Sequence, residues 1–330
     1  MSKKLRRLVQ LGLCSVAALS LFTVAFDDAR ADWKPTKQLV IITHVKSTSS
    51  TYRFARAYAD ALEKVITTGV KVESVRGARG DRARREIRIK NADNPYMMQV
   101  ITPSQVNNPI LAKQKTRPWM FTPIALLVVS PNLFAVNANS PYKSMKDVMD
   151  KACANPGKVI HGGGDFGNVA SLNSILLQRK TGCKITYTPF QSQGITELLG
   201  GHIDFVTENP AQLLQYVEAG RVRILAASEK LGEYPNVPTY QEAGYGFPVL
   251  KQYRGLWMGK DVDPEAVKYW IGTVDKVVSQ PSFQEYVKKN NLTLLNVKGK
   301  AVADVLKQDY DNYLKLDTEL NLIGKKKKKK

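Results

Sequence analysis

Between positions 39 and 250 the chain alternates short continuous apolar runs with stretches of helical spacing. Residues 39–43 read as a buried strand, and after a polar loop Phe54, Tyr58, Leu62 and Val65 recur along one helix face. Residues 70–75, 96–102 and 124–129 read as further strands. This alternation predicts a mainly parallel sheet covered by helices on both faces. The pattern then restarts. Ser144 with Asp147 has the form of a capping box opening a helix to about Ala154. Strands follow at 158–161, 185–188, 203–207 and 224–227. Between them lie helices at 168–181, 195–199 and 210–219, two of them stopped by Gly182 and Gly220. Beyond residue 250 the chain reads as helical to its end, with Pro264 opening a helix to Ser279.

A length of 330 residues with 43% hydrophobic content is enough for two cores of domain size. The formal charge of +20 is partly concentrated at the ends. Lys3, Lys4, Arg6 and Arg7 precede an apolar stretch that leads to Ala29-Arg30-Ala31, which predicts a secretory signal peptide over residues 1–31. Gln10, Gly12, Ser15 and Ser20 interrupt that stretch and argue against a membrane anchor. Cys14 would leave with the signal, so the mature chain would carry Cys153 and Cys183 in an oxidising compartment. A disulfide between them would close a loop of about 30 residues and contribute about 3 to 4 kcal/mol. The lysine tail, 325–330, is expected to be a solvated, unstructured end.

The segment HGGGDFGN, 161–168, contains the spacing G-x-G-x-x-G. A dinucleotide site also needs an acid at the end of the next strand to hold a ribose hydroxyl. That strand runs instead into Pro189 and Phe190, and Asp165 inside the loop would repel a pyrophosphate. What remains is a strand, small residues and a helix start whose free N–H groups suit a carboxylate. A second loop of this kind, Lys46-Ser47-Thr48-Ser49-Ser50-Thr51, precedes the Phe54 helix. Two such helix starts suggest a ligand clamped between two lobes.

His44 and His161 end the strands that lead into these loops and are expected to reach the cleft, whereas His202 reads as structural. The three histidines form no catalytic motif. With Asp165 or Glu208, the two strand-end histidines would support an alternative reading, a metal-dependent hydrolase. The basic segment 76–90 has no interleaved aromatic residue, so it reads as a solvated helix face rather than a nucleic-acid surface.

Several segments together resemble the Bug-type extracytoplasmic solute receptors of tripartite tricarboxylate transporters. They include Glu197-Leu198-Leu199-Gly200-Gly201-His202-Ile203-Asp204, Asn236-Val237-Pro238-Thr239 and Gly255-Leu256-Trp257. Phe121-Thr122-Pro123-Ile124-Ala125 and Arg76-Gly77-Ala78-Arg79-Gly80 extend the likeness over nearly all of residues 35–320. The resemblance implies an α/β, type II-like periplasmic binding protein of two lobes, each a mainly parallel sheet flanked by helices. The lobes would be 32–131 with 254–324, and 132–253, with the ligand cleft between them. It implies a monomeric periplasmic receptor that is not an enzyme, needs no cofactor or metal, and binds no nucleic acid. Its partners would be a small organic acid and the membrane subunits of a transporter.

Carried over, the ligand residues would be Lys46, Ser47, Thr48, Ser49, Ser50, Thr51 and Tyr52 in the first loop. Gly163, Gly164, Asp165, Phe166, Gly167 and Asn168 would form the second; His161, from its strand-end position, and Glu208 complete the candidate ligand set on the reading of the residues themselves. The loops depart from the family pattern: Thr48-Ser49 replaces a glycine pair, Tyr52 replaces an aspartate ahead of Arg56, and Gly163 and Asp165 replace a serine and a glycine.

Overall fold

The computed structural model describes residues 32–324, so the expected signal peptide (1–31) and lysine tail (325–330) lie outside the described residues. Its elements all belong to the unit Lys34–Lys330. In chain order they begin with β1 (Leu39–Thr43), α1 (Ser50–Leu62), β2 (Val70–Ser74), α2 (Asp81–Arg85), β3 (Met97–Ile101), α3 (Pro103–Leu111) and β4 (Thr122–Ser130). Next come β5 (Leu133–Asn137), α4 (Met145–Ala154), β6 (Ile160–Gly163), α5 (Val169–Thr181), β7 (Thr186–Pro189), α6 (Ile195–Leu199), β8 (Phe205–Glu208), α7 (Pro210–Glu218) and β9 (Val222–Ala227). The chain closes with β10 (Gln252–Met258), α8 (Pro264–Val278), α9 (Pro281–Lys289), β11 (Thr293–Lys298) and α10 (Lys300–Glu319).

The strands form two sheets, ordered β11-β4-β10-β3-β1-β2 and β7-β6-β8-β5-β9. Both sheets are mixed, which corrects the mainly parallel expectation. β1 pairs in parallel with β2 and β3, and β6 with β7 and β8, while β4, β5, β9, β10 and β11 make antiparallel pairs. The antiparallel strands cluster where the chain passes between sheets. β4 ends at Ser130 in the first sheet, and β5 starts at Leu133 in the second.

β10 and β11 also correct the all-helical expectation beyond residue 250. β10 is buried at six of its seven positions, so it lacks the alternation that marks a half-exposed strand. Its pairing with β4 shifts register between Arg254 and Gly255. A Cβ on Gly255 would stand 2.2 Å from the Ala125 carbonyl oxygen, so the bulge needs glycine there.

The second sheet shows period-two burial directly. Phe134, Val136 and Phe205 pack with Met149 and Leu177 on one face, and Leu133, Ala135 and Val206 pack with Leu198 and Leu213 on the other. Helix starts are fixed locally. Ser49 Oγ accepts the Tyr52 N–H at 3.2 Å, Asn168 Oδ1 accepts the Ser171 N–H at 2.8 Å, and Ser144 and Asp147 form the expected capping box. Cys153 and Cys183 are joined by a disulfide that ties the end of α4 to the turn after α5.

Candidate ligand-binding cleft

Loops at the carboxyl ends of parallel strands in both sheets converge on one cleft of about 530 Å³. This is the position at which open α/β sheets characteristically receive ligands. The first sheet contributes His44 and Ser49 after β1, the 76–80 loop after β2, Thr102 and Ser104 after β3, and Arg254 from β10. The second sheet contributes Asp165 and Asn168 after β6, and Glu208 and Asn209 at the end of β8. Three arginines, Arg76, Arg79 and Arg254, face two acids, Asp165 and Glu208, among the described lining residues. That balance, with the starts of α1, α5 and α7, favours an anion.

Arg254 is the most confined of these charges, at 4% exposed. Its guanidinium donates to Ser50 Oγ at 3.0 Å, while its Nε has no partner among the described residues. Ser50 and Thr51, both buried, occupy the first turn of α1, whose leading N–H groups have no intrahelical acceptor. Across the sheet, His44 Nε2 lies 3.1 Å from Ser104 Oγ, which is 2.9 Å from Thr102 Oγ1. Burial, then the nearby Arg84 charge, pushes the His44 pKa down to about 3, so the ring is neutral at pH 7.

The 76–80 loop was not anticipated as part of the site, and it corrects the reading of 76–90 as a solvated face. Gly77, Ala78, Arg79 and Gly80 all have positive φ, a conformation that costs free energy at Ala78 and Arg79. Arg84 holds the loop in place: fully buried, it donates to the Arg79 carbonyl (3.3 Å), to Gln105 Oε1 (3.0 Å) and to Gln114 Oε1 (3.0 Å). Asn108 Nδ2 adds a bond to the same carbonyl at 3.0 Å. The signal available in the sequence was Gly77 and Gly80 flanking Arg79 directly after a strand.

On the opposite wall, Asn168 caps α5 and lines the cleft. Gly163 and Gly164 sit too close to neighbours for a side chain, with built Cβ atoms 2.3 Å from the Tyr187 hydroxyl and 2.6 Å from the Asn168 and Gln193 side chains. Glu208 is 6% exposed, and burial raises its carboxyl pKa to about 7. Asn209 supplies its hydrogen bonds, from the backbone N–H at 3.4 Å and from Nδ2 at 3.3 Å.

Of the residues proposed from sequence, Ser49, Ser50, Thr51, Asp165, Asn168 and Glu208 come together in this cleft, and His44 joins them. Lys46, Ser47 and Thr48 lie on the exposed outer part of their loop. Tyr52 turns away and donates its hydroxyl to the Val72 carbonyl at 3.3 Å. Phe166 is 47% exposed against Tyr187, and Gly167 is engaged at both ends, its N–H by Ser171 Oγ and its carbonyl by Asn107 Nδ2.

His161 requires a correction. It is fully buried, stacked on Phe205 at 4.3 Å between centroids, with Nε2 3.0 Å from Thr207 Oγ1. Its place in β6 directs the ring to the face holding Phe134 and Leu177 instead of to the cleft. The hydrolase reading needed both strand-end histidines in one place. Among the described residues, no group of three His, Cys, Asp or Glu side chains is arranged to hold a metal ion.

Residues 54–322 match the family described as tripartite tricarboxylate transporter family receptor (TctC). The chain belongs to this family. As a TctC receptor it is 28% identical over 285 residues to the UPF0065 protein in the gbd 5' region of Cupriavidus necator, covering 83% of this chain and 84% of that one. It is 25% identical over 245 residues to Protein BugT of Bordetella pertussis, covering 72% and 75%.

Among solved structures, the receptor resembles R. palustris Rpa4515 with adipate at TM-score 0.79 and 21% identity, over 87% of this chain and 98% of that one. It resembles MatC from Rhodopseudomonas palustris with bound malate at TM-score 0.75 and 19% identity, over 86% and 99%. It resembles the periplasmic binding protein BugD at TM-score 0.79 and 20% identity, over 88% and 99%. These likenesses establish the two-lobe binding-protein fold, and family membership makes the chain a solute receptor.

Proposed function

We propose that this receptor works in the periplasm as a monomer, captures a small carboxylate in the cleft and delivers it to the membrane subunits of a tripartite transporter. The observation that carries the proposal is Arg254. A nearly buried guanidinium with an unpartnered Nε stands beside the first turn of α1, where a carboxylate would meet both a charge and backbone donors. Relatives of the same fold solved with adipate and malate support an acid of that size. The lobes, 32–131 with 254–324 and 132–253, would close on the acid, with Ser49 to Thr51 contributed by one and Asn168 by the other. Micromolar affinity requires about −8 kcal/mol, which a few charge-assisted hydrogen bonds at about 1.5 to 3 kcal/mol each can supply. A thermal-shift screen of organic acids on the exported chain tests the reading: one or more acids should raise the melting temperature in a saturable way. A flat screen across mono-, di- and tricarboxylates would refute it.

A further inference from the structure

The cleft holds two nearly buried, opposite charges, one from each sheet: Arg254 of β10 at 4% exposed and Glu208 of β8 at 6% exposed. Both are short of strong partners. The Arg254 guanidinium donates to a neutral hydroxyl, that of Ser50, and its Nε has no partner among the described residues. Among the described residues Glu208 accepts from its neighbour Asn209 alone, through bonds of 3.4 and 3.3 Å that lie beyond the usual range for a carboxylate acceptor. The two charges influence each other through space, without forming an ion pair. Ionised groups taken out of water without close counter-charges are destabilising. The fold keeps these two apart on facing walls, so a bound molecule is what can complement both.

We infer that the solute is a zwitterion, a small acid whose carboxylate meets Arg254 and whose ammonium, or an equally strong cationic donor, meets Glu208. The inference rests on the carboxylate reading of the same cleft and narrows it. An acid without a cationic group would satisfy Arg254 and leave Glu208 as before; a second carboxylate in that position would require Glu208 to be protonated, whereas a cation accepts it ionised. Burial already lifts the Glu208 carboxyl to about 7, so a cation placed against it would draw it back to the charged form.

The experiment is calorimetric titration of the full mature chain at neutral pH with matched pairs that differ by one amine: butyrate and 4-aminobutyrate, succinate and aspartate, glutarate and glutamate. The expected result is that the amine-bearing member of at least one pair binds about tenfold more tightly or better, the worth of one charge-assisted hydrogen bond. In the Glu208→Gln protein, which keeps the shape and adds an N–H donor, that preference should disappear. If the amine-free acid binds equally or more tightly in every pair, the inference is overturned while the carboxylate reading stands. The same holds if Glu208→Gln retains the preference, which would assign it to another group. Because the wild-type comparison needs no variant, it decides the matter even if Glu208→Gln fails to fold. If no member of any pair binds while another amine-free acid of the thermal-shift screen does, the inference is overturned and the carboxylate reading stands; if that screen is flat as well, both fall.

Discussion

The Arg53 guanidinium, carried by α1, donates to the Ala211 carbonyl at 2.6 Å and to Gln212 Oε1 at 3.2 Å, both at the start of α7. Its other terminal nitrogen donates to the Thr48 carbonyl at 2.7 Å. One side chain therefore ties the helix that follows β1 to the helix that follows β8, at the rim of the cleft both helices border. Asn107 Nδ2, reaching the Gly167 carbonyl at 2.8 Å, makes a second tie between α3 and the loop before α5.

Arg53→Ala is expected to favour an open arrangement of the cleft. Because Arg53 is half-buried, the loss should be at the low end for a charge-assisted bond, about 1 kcal/mol. Small-angle scattering of the ligand-free protein should show a larger radius, and affinity for the bound acid should fall about fivefold as closure becomes less favourable. A scattering profile identical to wild type would contradict the latch.

His161 is expected to matter for stability and not for binding. Truncation to alanine removes a ring stacked on Phe205 in a closed core and should cost about 2 to 4 kcal/mol of unfolding free energy. Affinity measured on the folded fraction should be unchanged. A loss of affinity at constant stability would place the ring at the ligand after all.

The same residue gives a signed pH dependence. In the folded protein burial holds the His161 pKa at about 3, against about 6.5 in the unfolded chain. Between those values the unfolded chain binds the extra proton, so the stability from His161 is complete above about pH 6.5 and is lost as pH falls towards 3. Glu208 and Asp317, whose carboxyls are raised, act in the opposite sense, so the comparison must be with a variant. His161→Phe should lose less stability than wild type in urea titrations between pH 7 and pH 5. Parallel losses would contradict the assignment.

Reduction of the Cys153–Cys183 disulfide, or its replacement by serines, should lower unfolding free energy by about 3 to 4 kcal/mol, the chain-entropy value for the 30-residue separation. Chemical denaturation with and without reductant measures this. An unchanged midpoint would contradict it.

Much of this was legible in the sequence because the βα units follow local rules. Ser49, Asn168, Ser144 with Asp147, and Gly182 announce helix ends through their own hydrogen bonds or backbone angles, and the elements they bound fall close to where periodicity puts them. β10 was not legible, because burial on both faces removes periodicity. With it went Arg254, which sits beside a bulge in the pairing with β4, a contact distant in sequence. The 76–80 loop was hidden by its charge: arginines normally signal solvent, and it takes the partners Gln105, Gln114, the Arg79 carbonyl and Asp81 to explain why Arg84 is inside. His161 misled for a simpler reason. A strand-end position does not say which way the side chain points, since one residue along the strand reverses it.

The central claim, that the cleft holds a carboxylate against Arg254, is tested most directly by calorimetric titration of the wild-type and Arg254→Gln proteins with the acid that ranks first in a thermal-shift screen. The account predicts a single saturable site in the wild type and a loss of about tenfold or more in affinity in the variant, equal to at least about 1.4 kcal/mol. Equal affinity in the two proteins, with both shown to be folded, would contradict it.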